Sequence, residues 1–268
     1  MALEARLERD GSTVYVSAAI AHHYASGGDA PAALRASVRA ADAAERVHAY
    51  GQAAHLLERA IALFDRVPDA EALAGASRPE ILRRAARYHG LDGDSHRKEA
   101  LARAGLEFVD EREQPHLTAR LLDALSEAQW HLGHGEESLA TIERAVSVLP
   151  PGEMSPERAG LLASQAKTLM LRGKHVQAIE VARETLAAAD VLDDNGVRGR
   201  AFNAMGTSLM AMGEVEPGRR RAATGARTGR PLRLPRTAEL RLHQPRRRPA
   251  PGGPAARGTR GDRRGARA

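Results

Sequence analysis

An all-α solenoid of antiparallel helix pairs is the fold this sequence predicts, and three observations predict it. Glycine recurs at Gly93, Gly133, Gly173 and Gly213, forty residues apart each time. The stretches before and after these glycines carry apolar residues at helical spacing, without the alternation of strands. Small residues, among them Ala145, Ala166, Ala178 and Gly206, fall where two helices have to approach closely. A helix pair of this size cannot bury its apolar stripe alone, so each pair is expected to stack on the next.

Residues 1–12 are expected to be a flexible N-terminus, and 13–77 an N-terminal helical region with helices near 13–26, 31–47 and 50–65. The repeats proper occupy 78–216. Their first helices read "EILRRAARYHGLDG", "LTARLLDALSEAQWHLG", "ERAGLLASQAKTLMLRG" and "VRGRAFNAMGTSLMAMG", each closed by its glycine, which suits the left-handed position past a helix end. Second helices follow three of them: "DSHRKEALARAGLEFV", "HGEESLATIERAVSVLP" and "KHVQAIEVARETLAAAD". Leu121, Leu122, Leu125, Ala128 and Trp130 form one apolar stripe, and Phe202, Met205, Gly206 and Leu209 another. Asp194 or Asn195 is expected to cap the helix after "LDDN", and Ser155 to open one with Pro156 at its first position. Pro150 and Pro151 close a unit.

Charge divides the chain. Residues 217–268 hold 16 arginines, no lysine and only Glu239 and Asp262 as acids, a charge of +14; residues 1–216 keep −8. The body is therefore acidic, and its charge gives no argument for nucleic acid. All eight aromatic residues lie in the body. With no cysteine, disulfides and thiolate metal sites are excluded. No apolar run approaches the ~20 residues that span a bilayer, and the N-terminus has acids where a signal peptide needs a basic start. The expected compartment is the cytoplasm.

Three readings of residues 217–268 compete. An arginine-rich arm would bind nucleic acid through charge; a Pro/Gly/Arg segment would be a disordered linker; a reading-frame slip would end the repeat. In the last case a shifted frame over 243–265 permits a helix, a turn glycine at 253 and a second helix, the glycine falling forty residues after Gly213. Under the frame-slip reading the last first-helix loses its partner, and the apolar face of 195–212 is left uncovered.

Little chemistry is visible. No G-x-x-x-x-G-K-[ST] loop is present, since Gly173-Lys174 is followed by His175. His131 and His134 with Glu136 are the best metal candidate, ahead of His22–His23. Metal sites need three or four converging ligands, so solvated histidines at a turn or helix end are expected. The carboxylates of "DEREQ" (110–114) are read as turn and cap residues. Trp130 and Phe202 are candidates for lining a peptide groove, with core packing the expected role. No catalytic, cofactor-binding or metal residue is expected, and pattern alone names no partner-binding residue.

The small residue closing each first helix, the turn glycine and the "ERA" of "LLERAIALFDRVPD" (56–69) and "ATIERAVSVLPPGE" (140–153) resemble the tetratricopeptide repeat, with its period stretched from 34 to about 40. Residues 13–216 also resemble the central helical region of large LuxR-type transcriptional regulators, which place an ATP-binding (AAA ATPase) domain before it and a helix-turn-helix after it. That resemblance implies a non-enzymatic interaction module, a fragment of such a regulator without either flanking domain, taking a protein or small-ligand effector on its concave face. The alternatives are a free-standing tetratricopeptide scaffold for a partner protein and nucleic-acid binding through the basic tail. No cofactor and no membrane partner are implied.

Overall fold

The computed structural model describes residues 14–152 and 154–228. The chain divides into two units, and the first, Met1–Leu232, contains everything described; the second, Arg233–Ala268, lies outside the described residues, as do the flexible segment expected over 1–12 and the tail beyond 228.

Twelve α-helices and no strand occur among the described residues. They are α1 (Val14–Ser26), α2 (Ala30–Arg46), α3 (Tyr50–Ile61), α4 (Ala70–Ala74), α5 (Arg78–Asp92), α6 (Ser95–Leu106), α7 (Pro115–His131), α8 (Gly135–Val148), α9 (Pro156–Leu171), α10 (His175–Leu192), α11 (Asn195–Ala211) and α12 (Val215–Thr228). Four pairs carry the forty-residue beat: α5/α6, α7/α8, α9/α10 and α11/α12. Each second helix packs on its own first helix, and α6, α8 and α10 pack on the first helix of the next pair. No helix among the described residues is long and apolar enough to cross a membrane.

The beat has a backbone cause. Gly93, Gly133, Gly173 and Gly213 all stand at positive φ, between 72° and 98°, where a Cβ is penalised. In each turn the amide after the glycine returns to the carbonyl five residues earlier, as from Asp94 to His89 and from Lys174 to Leu169. Those bonds satisfy carbonyls the ending helix would otherwise strand. Side-chain caps sharpen the starts of several helices. Asp194 Oδ1 accepts from the Val197 amide at 2.9 Å, and Ser155 Oγ from Arg158 at 3.2 Å with Pro156 opening α9. Asp110 accepts from the amides of Arg112 and Glu113, so "DEREQ" is a turn.

Packing repeats with the same period. The order of buried and exposed positions over 81–90 recurs unchanged over 121–130. On the second helices, Ser138, Ala178 and Gly218 are buried at equivalent positions, as are Ala145, Thr185 and Gly225. The core is a run of neighbouring clusters. One joins α2 to α7, a second α7 to α10, and a third α9 to α11. Each fully buried Leu or Ile in them contributes about 1.5–3 kcal/mol.

Upstream of the repeats, a 3-10 turn at Phe64–Arg66 and the short α4, which packs back on α2, fill 62–77. One departure from the sequence reading stands out. At the other end, a boundary at 217 falls inside α12, which continues to Thr228 and covers α11. The uncovered face expected over 195–212 is thus covered. The reason is glycine. A Cβ on Gly206 would meet the Ala222 nitrogen at 2.6 Å, and one on Gly225 the Gly199 carbonyl oxygen at 2.8 Å. The helices touch backbone to backbone and need no apolar side chains there.

Candidate ligand-binding cleft on the first-helix face

In the two pairs where the burial pattern repeats, half-buried and exposed positions alternate with the buried ones along α5 and α7. Charged residues dominate those positions: Arg83 and Arg87 on α5; Arg120, Asp123, Glu127 and His131 on α7. With Gly90, Leu91, Ser95, Lys98 and Ala124 they line a cleft of about 370 Å³.

Lys98 enters this cleft from an unusual direction. It belongs to α6, a second helix, and is only 5% exposed. Gly90 makes the passage possible, because a Cβ there would stand 2.7 Å from Lys98 Cδ. Threaded past α5, the ammonium reaches the Glu127 carboxylate on α7. Burying a cation without such a partner would be strongly unfavourable.

The two carboxylates of α7 sit one turn apart and respond oppositely. At Asp123 burial, reinforced by the Glu127 charge, pushes the carboxyl above its ordinary value, against a hydrogen bond from Ser164 and the charges of Lys167 and Lys98. At Glu127 burial also works upward, but Lys98 and Lys167 outweigh it and hold the carboxyl below the ordinary range. Among the cations, Arg83 is bidentate to Glu80 within α5, and Arg87 pairs with Glu45 of α2 at 3.1 Å. Arg120 is exposed and has no ion-pair partner among the described residues, although its charge reaches Glu80. The cleft therefore carries four cations against two acids in a body whose net charge is negative.

The residues singled out by pattern lie elsewhere or do other work. His131 lines the cleft, but Glu136 is paired with Arg172 just past the end of α9, and His134 is the N-cap residue of α8. His22 and His23 are exposed on α1. Among the described residues none of these groups with other possible metal ligands; the group that does is His55, Glu58 and His89. Trp130 stands half-buried with its ring 3.5 Å from where a Gly135 Cβ would be, and Phe202 packs under α12 with Arg221 over its ring at 5.8 Å. Neither lines the cleft. Sequence reasoning missed Lys98, Asp123 and Glu127 as a set, because 29 residues separate Lys98 from Glu127 and only the pair-on-pair register unites them.

No family model and no curated protein matches the sequence. Solved structures do. A kinesin-light-chain-type protein of nearly identical TPR-like repeats from Podosopora anserina aligns with a TM-score of 0.55 at 16% identity, over 74% of this chain and 95% of its own. BtubC (BKLC) from P. vanneervenii aligns with a TM-score of 0.61 at 15% identity, over 96% of this chain and 100% of its own. MamA aligns at 0.50 and 12% identity, over 70% and 93%. At such identities the likeness establishes the fold, a tetratricopeptide-like helix-pair solenoid, and nothing finer.

Proposed function

We propose that this chain is a non-enzymatic interaction scaffold, acting as a tetratricopeptide-type protein in its own right, and that it holds an acidic peptide segment of a partner protein in the α5–α7 cleft. One observation carries the reading: Arg83, Arg87, Lys98 and Arg120 line one cleft across neighbouring pairs, and Arg120 has no ion-pair partner among the described residues. Stacked helix pairs present their first helices as an extended binding surface, and charge complementarity there selects the partner. A segment rich in Asp and Glu would pair with Arg120 and exchange with Glu80 and Glu45 for Arg83 and Arg87. The likeness to repeat proteins, which extends over 95% and 100% of two of their chains, supports a scaffold. The LuxR-type regulator context expected from the sequence has no comparable support.

The test is fluorescence anisotropy with a labelled Asp/Glu-rich peptide and its Asn/Gln counterpart, on the full chain. The arginines of 217–268 attract any polyanion, so Arg120→Glu is the discriminating variant. Preference for the acidic peptide, weakened about tenfold by R120E (roughly 1.4 kcal/mol), supports the reading. Equal binding to both peptides, or indifference to R120E, contradicts it. Nucleic acid that co-purifies and is released by high salt would favour the basic-tail alternative.

A further inference from the structure

Where the N-terminal helices meet the first repeat pair, three metal-ligating side chains come together. His55 and Glu58 share one face of α3 at i, i+3 spacing. His89 projects from α5, which packs on α3, and is buried. One ligand atom from each can be chosen so that all lie within 4.8 Å of one another. His89 Nε2 and Glu58 Oε1 are 2.7 Å apart, and the two imidazoles meet edge to face with centroids at 5.6 Å.

We propose that His55, Glu58 and His89 form a binding site for Zn²⁺, with water completing the coordination on the exposed His55 side. Two imidazole nitrogens and one carboxylate oxygen suit a late first-row divalent ion such as zinc and not magnesium or calcium, which take oxygen ligands. Ligand atoms about 2.1 Å from a tetrahedral ion stand about 3.4 Å from one another. To reach that spacing His89 Nε2 and Glu58 Oε1, now 2.7 Å apart, open slightly, and the exposed His55 side chain turns towards them.

The site has a built-in competitor. Arg97, at the start of α6, holds both Glu58 oxygens, with Nε to Oε1 at 2.6 Å and Nη2 to Oε2 at 2.9 Å. An ion on Oε1 displaces the Arg97 contact to that oxygen and leaves a guanidinium close to the metal. Arg97 is half exposed and lies within the field of Asp94, to which it can move. Occupied, the site ties α3 to α5 across the irregular stretch 62–77 that precedes the first forty-residue pair.

The experiment is calorimetric titration of the tag-free full chain with Zn²⁺ at pH 7.5, with His55→Ala and Arg97→Gln alongside. His55 is exposed, so the alanine variant is expected to melt like wild type without metal. The site predicts one ion per chain, affinity lowered about tenfold or more in H55A, and affinity raised in R97Q, where the competing cation is gone. Zinc should also raise the melting temperature of wild type and less so that of H55A. Uptake by H55A equal to wild type would overturn the site, since the remaining histidines would then account for it. So would absence of saturable uptake in both wild type and R97Q. An R97Q affinity no higher than wild type would overturn the competition.

Discussion

The pairs α7/α8 and α11/α12 occupy equivalent slots in the solenoid and fill them by different means. In the first, Leu139, Ile142 and Ala145 of α8 are buried in the cluster that includes Ala119 and Leu122 of α7. In the second, the buried positions among the described residues of α12 are Gly218 and Gly225, and Arg219, Arg220, Arg221 and Arg227 are exposed. Yet Gly218 and Gly225 stand eighty residues after Ser138 and Ala145, at the same register positions. Register decides which residues meet; composition decides only how closely the backbones come.

The sharpest way to break this comparison is Ile142→Ala. It removes a fully buried side chain from the centre of α8, and a cost of about 2–5 kcal/mol is expected in urea unfolding. A loss well under 1 kcal/mol would mean that the middle pairs do not depend on side-chain interdigitation. Gly206→Val is expected to cost somewhat less, about 1–3 kcal/mol. Its branched side chain begins where the α12 backbone already lies, so the damage should be confined to α12 and appear as faster amide exchange over 215–228. If G206V leaves that exchange unchanged, the helices do not touch at the backbone.

The smallest effect, and one of opposite sign, belongs to Asp123→Asn. The folded-state pKa of Asp123 is raised, so the folded chain holds that proton more tightly than the unfolded chain. Its contribution is favourable at low pH and is lost as pH rises through the folded value. Removing the charge should therefore stabilise the protein at pH 7, by an increment that shrinks as pH falls towards the ordinary aspartate value. Thermal melts of D123N against wild type across that range read it directly. Lower stability of D123N at pH 7 would mean that Lys98, Lys167 and Ser164 together outweigh burial and Glu127.

Much of the scaffold was legible before any coordinates. A turn glycine every forty residues, helical spacing between, and the caps at Ser155 and Asp194 are local signals, and local backbone geometry answers to them. Helix α12 was not legible, because reading by apolar period counts side chains, and this helix packs through positions that have none. The cleft was hidden for a different reason. Nothing near Gly90 in the sequence announces that a lysine eight residues later will pass over it to reach α7. Of the zinc triad, the i, i+3 spacing of His55 and Glu58 was visible, while His89 joins them only through the α3–α5 contact.

Native-state hydrogen exchange on the full chain tests the central claim most directly, that register and not apolar content seats the last helix. Amides of 215–228 are expected to be protected together with those of 195–211 and to open with them as one unit. Exchange of 215–228 at free-peptide rates, while 195–211 stays protected, would contradict it.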